Sequence, residues 1–166
     1  MSAKCRDRFQ ENSCFYECSP NIGPWMVKEP NSHRSERFRD VPLSPAVCNA
    51  WFNDCKDDYT CKDNWAVGWD WSSGTNVCPA DKPCKKFSEI FTSATEMCET
   101  IYPDDFKVTT NGPTMVLWFL GDTNPNDAVA AYYATEMNLR CGAGKLIDNI
   151  VLTTLMAIIS LAFFQY

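Results

Sequence analysis

Histidine and basic charge are both scarce in this 166-residue sequence, and each shortage excludes a class of function. The chain has one histidine, His33, and neither a GxSxG motif nor a glycine-rich phosphate loop, so we predict no catalytic residue and no cofactor. Its 15 Lys and Arg residues against 21 Asp and Glu give a net charge of -6, which argues against a nucleic-acid partner. We therefore expect neither an enzyme nor a nucleic-acid-binding protein.

The N-terminus lacks a secretory signal. Such a signal needs an apolar stretch of about 7 to 15 residues, whereas the sequence opens with Met-Ser-Ala-Lys-Cys-Arg-Asp-Arg-Phe. Because the cysteines described next indicate an oxidising compartment, we expect that this chain starts late.

Cysteine is abundant instead. A reducing compartment rarely holds so many cysteines in one small protein. Zinc binding is the alternative, but the chain has no pair of CxxC knuckles at zinc-ribbon spacing, so we predict no metal site. The sequence therefore indicates a disulfide-built extracellular protein. Its ten cysteines are Cys5, Cys14, Cys18, Cys48, Cys55, Cys61, Cys78, Cys84, Cys98 and Cys141.

The C-terminal end is apolar over residues 150–164, which is short for a membrane-spanning helix of about 20 residues. Small residues at 142–144 and a polar spacer at 145–149 precede it, and this layout is typical of a glycolipid-anchor signal. We predict a folded domain over 1–140 and an anchor signal over 141–166. A single transmembrane helix remains the alternative.

Capping residues and apolar spacing predict the helices. Residues 1–18 can form one or two helices, and a helix starts at Ser44-Pro45 with Cys48, Trp51, Phe52 and Cys55 on one face. A capping box at Ser93–Glu96 opens another, with inner residues Ala94, Met97, Cys98 and Ile101. A last helix follows residues 124–126, its inner face formed by Val129, Tyr132, Tyr133 and Met137.

Between the helices we predict loops and short strands. Four residues, Pro20, Gly23, Pro24 and Pro30, favour a loop that folds back on the body because it carries Trp25. Short strands are expected at 107–110 and 115–120.

Several segments resemble the folate receptor and riboflavin-binding family, and together they extend from Cys5 to about Met137. They are CFYECSPNIGPW at 14–25, VPL at 41–43, YTCKDNW at 59–65, GWDWSSG at 68–74 and NPN at 124–126. The resemblance implies an α+β fold, mainly helical with a few short strands and rich in disulfides. It also implies that the N-terminal part of the domain, with its signal peptide, is missing from this sequence.

The resemblance further implies three disulfides, which are Cys5–Cys55, Cys48–Cys98 and Cys61–Cys78. By the same resemblance, Cys14, Cys18 and Cys84 pair with cysteines that this sequence does not contain.

The ligand-binding residues are likewise implied by the family. Tyr16 and Tyr102 match its two stacking positions. Arg34 and Arg37 match the arginines that hold a pterin oxygen, and their spacing would let both reach one acceptor from a single helical turn. From the residues alone, a solvated charge pair is the alternative. The family's aromatic wall is matched by Trp65, Trp69 and Trp71, which could equally be core residues.

Departures from the family alter the polar part of that site, among them Ala66 and Val67, which replace a histidine and a lysine that serve the glutamate end of folate. Asn12 replaces an aspartate that makes a charge-assisted contact, so folate affinity should fall. Asp105 replaces a serine, and its charge is unfavourable near a dianionic ligand tail. His33 replaces a tryptophan; it could give acid-dependent release, although a loop histidine is usually only solvated.

The implied function is a glycolipid-anchored receptor on the extracellular face of the plasma membrane that binds folate, a pterin or a flavin for uptake. The alternative is a cell-surface recognition protein of the same family that binds a protein partner and no vitamin, as the egg receptor Juno does. A truncated, non-functional product is the third possibility.

Overall fold

Helices form most of the secondary structure. The computed structural model describes residues 1–29, 35–118 and 123–139. The helices are α1 (Ala3–Cys18), α2 (Pro45–Cys55), α3 (Phe87–Ile90), α4 (Ala94–Thr100) and α5 (Asp127–Glu136), with a 3-10 helix at Pro20–Trp25. Contacts divide the chain into a unit of Met1–Tyr133 and a unit of Ala134–Tyr166, and the second is described only over 134–139.

Six short strands form three separate two-stranded sheets. The strands are β1 (Met26–Lys28), β2 (Glu36–Phe38), β3 (Val41–Leu43), β4 (Tyr59–Thr60), β5 (Lys85–Lys86) and β6 (Phe106–Val108). Strands β1 and β2 pair antiparallel, β3 and β6 parallel, and β4 and β5 antiparallel. This confirms the predicted fold class, which is mainly helical with a few short strands.

The predicted caps are present. Ser44 accepts a hydrogen bond from the Ala46 N–H at the start of α2, and Ser93 accepts one from the Glu96 N–H at the start of α4. The reciprocal bond of the predicted capping box is shifted by one residue, because the Glu96 carboxylate accepts from the Thr92 N–H at 2.7 Å. The inner face of α4 is confirmed, since Met97, Cys98 and Ile101 are fully buried.

Disulfides join the three central helices. Cys5–Cys55 links α1 to α2, Cys48–Cys98 links α2 to α4, and Cys61–Cys78 closes a surface loop. These are the three pairs that the resemblance implies. Cys14, Cys18 and Cys84 form no disulfide with another described cysteine.

An aromatic core lies between these helices. Phe9 contacts Trp51 edge-on, with ring centroids 5.2 Å apart, and Trp51 is fully buried. Trp25 is also buried, so the loop that follows α1 folds back on the body as expected.

Four local predictions were wrong. Residues 20–28 form a 3-10 helix and β1 where a loop was expected, because Pro20 starts the helix and β1 finds a partner in β2. Arg37 belongs to β2, so it does not lie on the predicted helical turn. Tyr132 and Met137 are each 44% exposed, so only Val129 and Tyr133 of the predicted α5 face pack inward.

The fourth error is the strand at 115–120. Over residues 115–118 the structure has only an isolated bridge between Met115 and Leu43. The pairing does not continue because the buried side chain of Asn126 forms hydrogen bonds with the N–H and the carbonyl of Val116. Residues 119 and 120 lie outside the described part.

Within the described residues, no helix combines the length and the apolar character needed to cross a bilayer. The predicted anchor signal at 141–166 lies outside those residues, as does Cys141.

Candidate ligand-binding site

One face of α1 carries three residues that lead from the tryptophan loop to β2. Phe9 stacks on Trp65 with ring centroids 4.3 Å apart and planes 9° apart. Tyr16 packs on Phe38 at 4.7 Å. Asn12 lies between them on the same stripe, because residues three and four apart on a helix share a face.

Asn12 is buried yet incompletely satisfied. Its side chain is only 5% exposed, and its Oδ1 atom accepts no hydrogen bond from the described part of the chain. A buried acceptor without a donor costs about 1 to 3 kcal/mol, so it is unusual unless a bound group completes it.

Arg37 and Asp105 form an ion pair at the edge of the same region. Arg37 Nη2 donates to Asp105 Oδ1 and to the Pro103 carbonyl, both at 2.6 Å. The Asp105 side chain is 8% exposed and that of Arg37 is 25% exposed. The pair therefore joins β2 to the turn before β6.

Burial and mutual attraction act in opposite directions on this pair. Burial raises the pKa of Asp105 to about 6, although the hydrogen bond and charge of Arg37 oppose the rise. For Arg37, burial works against the charged guanidinium, but Asp105 outweighs it and the pKa of Arg37 is raised. The pair is accordingly ionised at neutral pH.

Each of the two predicted stacking tyrosines lies near one member of this ion pair. The phenol of Tyr16 is close enough to Arg37 to contribute to its raised pKa. Burial and the charge of Asp105 raise the pKa of Tyr102 to about 12. Tyr102 thus remains a neutral hydroxyl at any physiological pH.

The three predicted wall tryptophans do not behave alike. Trp65 donates its indole N–H to Thr60 Oγ1 at 3.0 Å, and Trp69 donates to the Trp65 carbonyl at 2.8 Å. Their rings meet edge to face at 5.5 Å. Trp71 is 62% exposed, whereas Trp65 and Trp69 are half-buried.

Pairwise contacts link several of the predicted site residues. Arg37 pairs with Asp105, Trp69 donates to Trp65, and Tyr16 and Tyr102 lie near Arg37 and Asp105, respectively. Asn12 lies one helical turn from Tyr16, and His33 and Arg34 lie outside the described residues. Sequence reasoning missed the pairing of Asp105 with Arg37 and the roles of Phe9 and Phe38. The i, i+3, i+7 spacing of Phe9 with Asn12 and Tyr16 was the available signal for Phe9.

A concave region lies between α1 and α2. It is a cleft of about 330 Å³ lined by charged side chains, which are Lys4, Asp7, Arg8, Glu11 and Asp54. Arg8 is already paired there with Asp54 at 2.8 Å and with Glu11 at 2.9 Å. A flat aromatic ligand would find no ring to stack on in this cleft, so it is the weaker candidate.

Residues 1–117 match the folate receptor family. The chain belongs to the folate receptor family. It is 40% identical over 154 residues to folate receptor gamma of Homo sapiens and 40% identical over 149 residues to folate receptor alpha of Homo sapiens. It is also 36% identical over 109 residues to the riboflavin-binding protein of Dromaius novaehollandiae.

The alignments with folate receptor gamma, folate receptor alpha and the riboflavin-binding protein cover 90%, 87% and 65% of this chain, respectively. They cover 63%, 57% and 43% of those three relatives. The chain thus spans less than two thirds of the length of the relatives it matches.

Proposed function

We propose that this member of the folate receptor family binds the flat ring of a folate, a pterin or a flavin at the cluster around Asn12. The single observation that carries the proposal is the buried Oδ1 atom of Asn12, which lacks a donor among the described residues. It lies on the stripe between two aromatic contacts, those of Phe9 and Tyr16.

The surrounding side chains supply what a pteridine or isoalloxazine ring needs. Such rings have apolar faces and polar edges, so their sites combine aromatic plates with a few aimed polar groups. Tyr16 and Tyr102 would supply the plates. Arg37, Asn12 and Asp105 would supply the polar groups. Two relatives are named as folate receptors and one as a riboflavin-binding protein, which supports this class of ligand.

The setting we propose is the extracellular face of the plasma membrane, where the protein would take up its vitamin. Three disulfides support an oxidising environment. We further propose that residues 141–166 are exchanged for a glycolipid anchor. Phosphatidylinositol-specific phospholipase C should then release the protein from intact cells, and a protein that stays membrane-bound after this treatment would contradict the anchor.

Ligand binding is tested by titrating the disulfide-intact protein with folate and with riboflavin while following tryptophan fluorescence. Trp65 stacks on Phe9, which shares a face of α1 with Asn12, so a ring bound as proposed should quench its emission. Replacing Tyr16 with Ala should weaken binding by about tenfold or more, because it removes one stacking plate. Tyr132→Ala is the matched control, since Tyr132 is exposed on α5. Unchanged fluorescence with both vitamins would overturn the proposal.

The second candidate function is recognition of a protein partner. A specific observation favours it, because the Cys61–Cys78 loop exposes Val67, Trp71 and Val77 by 60%, 62% and 43%. Exposed tryptophan is enriched in protein interfaces. Here Trp71→Ala should abolish capture of a surface protein and leave vitamin binding intact. Asn12→Leu should abolish vitamin binding and leave capture of the surface protein intact.

A further inference from the structure

Arg37, the cationic group of the candidate site, is already engaged by the protein itself. Its Nη2 atom donates to both Asp105 Oδ1 and the Pro103 carbonyl at 2.6 Å. The positive charge is neutralised by a carboxylate that is itself more than nine-tenths buried. A ligand therefore meets an ion pair of zero net charge at this edge of the site.

An acceptor without a partner lies one helical turn from Tyr16, whose phenol acts electrostatically on Arg37. Asn12 Oδ1 is buried and receives no hydrogen bond from a described residue. Among ligand groups, an N–H or O–H donor could complete that atom, because an amide oxygen only accepts hydrogen bonds.

We propose that Asp105 is a specificity-determining residue which, by holding Arg37, makes the site prefer a ring edge with N–H donors to an edge with carbonyl or carboxylate acceptors. This inference rests on the proposed ring-binding function and names the ligand chemistry of the same site.

The physical reason is the different cost of the two kinds of edge. An acceptor edge must compete with Asp105 for Arg37, and displacing Asp105 would leave a buried carboxylate without its cation. A donor edge can bond to the Asp105 carboxylate and to Asn12 Oδ1 while the ion pair stays intact. Each matched or unmatched buried hydrogen bond should change the affinity by about tenfold, which corresponds to about 1.4 kcal/mol.

Two pteridines that differ at adjacent edge positions provide the probe. Pterin carries an oxo acceptor at position 4 and an N–H donor at position 3, whereas 2,4-diaminopteridine carries an amino donor at position 4 and an acceptor nitrogen at position 3. The disulfide-intact protein should bind the diamino compound about tenfold more tightly at neutral pH, as measured by isothermal titration calorimetry. In Asp105→Asn and Asp105→Ser, which free Arg37 from its carboxylate, this preference should disappear or reverse.

Asp104→Asn is the matched control. It removes the same charge from the adjacent position, but the Asp104 side chain is 59% exposed and pairs with Arg39 at 3.2 Å. Its preference ratio should stay within about twofold of the unmodified protein, because an exposed pair contributes little. The Asn and Ser side chains differ in shape, so a change shared by both variants reflects the lost carboxylate. Near-ultraviolet circular dichroism verifies that each variant is folded.

The outcomes separate this inference from the proposed function. If neither pteridine, folate nor riboflavin binds the unmodified protein, ring binding itself fails. If the pteridines bind but pterin is preferred, or if both Asp105 variants keep the preference ratio of the unmodified protein, ring binding stands and the role of Asp105 is refuted.

Discussion

The carboxyl group of Asp105 is buried and has lost most of its hydration. Its hydrogen bond from Arg37 offsets part of that loss, yet burial still raises its pKa to about 6 from 3.8. The folded protein therefore binds the Asp105 proton more tightly than the unfolded chain does.

The first prediction follows from the sign of this shift. The stabilising contribution of Asp105 protonation is complete below about pH 3.8 and is lost as the pH rises through about 6. The gap of about two pKa units corresponds to roughly 3 kcal/mol. Between pH 4 and pH 7, the unfolding free energy of the unmodified protein should thus fall by that amount relative to Asp105→Asn, measured by denaturant unfolding under non-reducing conditions.

Asp104→Asn again serves as the control, and its pH dependence should parallel that of the unmodified protein. A difference between the unmodified protein and Asp105→Asn that stays constant over this pH interval would contradict the raised pKa.

Asn126 shows what the NPN motif does. It is fully buried, its Oδ1 accepts from the Val116 N–H at 3.0 Å, and its Nδ2 donates to the Val116 carbonyl at 2.9 Å. The Asn126 side chain thereby satisfies the backbone groups of Val116 that a neighbouring strand would otherwise satisfy. The backbone of Asn126 is held in turn by Asn124, whose Oδ1 accepts a hydrogen bond from the Asn126 N–H.

The second prediction concerns this amide. Asn126→Asp keeps the shape but sets an oxygen against the Val116 carbonyl, so it should lower the unfolding free energy by about 2 to 4 kcal/mol. Thermal unfolding monitored by circular dichroism measures the loss. Asn111→Asp at an exposed turn is the control and should cost less than about 0.5 kcal/mol. Equal effects of the two changes would show that the Asn126 bonds are not stabilising.

At the scale of elements, disulfides determine which helices stay together. Helix α2 is tied to α1 by Cys5–Cys55 and to α4 by Cys48–Cys98, and both links span 50 residues. Cys61–Cys78 spans 17 residues and closes the loop that carries the wall tryptophans. Longer closed loops restrict the unfolded chain more strongly.

The third prediction compares these links. Replacing Cys48 and Cys98 together with Ala should lower the unfolding free energy by about 4 kcal/mol, and replacing Cys61 and Cys78 by about 3 kcal/mol, on loop entropy alone. The double replacement at Cys5 and Cys55 should match the first of these. Denaturant unfolding of the three variants gives the order, and a larger loss for the 17-residue loop would contradict this account.

At the scale of the whole molecule, the burial of the aromatic core depends on the disulfides. Trp51 and Trp25 are buried at 0% and 6% exposure between elements that the disulfides hold. A domain of this size buries only a modest core, so removing every cross-link should expose it.

The fourth prediction is that full reduction shifts tryptophan emission to longer wavelength and abolishes ring binding. Alkylation without reduction is the control. It should modify only thiols such as the exposed Cys84, whose Sγ lies 3.9 Å from Cys78 Sγ, and leave the emission unchanged. A reduced protein that retains its emission spectrum would show that packing alone suffices.

The sequence by itself determined the local features. Ser44 and Ser93 cap their helices because a short polar side chain there can accept a backbone N–H, and that property depends only on neighbouring residues. The cysteine content, the mainly helical fold class and the family were also readable, since fixed patterns of cysteine, tryptophan and proline carry them.

Which distant residues contact each other was decided only by the tertiary structure. Arg37 was expected on a helical turn, but it lies on a strand because β1, ten residues earlier, offers backbone partners. Asp105 was expected near a ligand tail, yet it sits 2.6 Å from Arg37, 68 residues away along the chain. Such contacts depend on how distant segments meet, and no local pattern of charge or apolar spacing encodes that meeting.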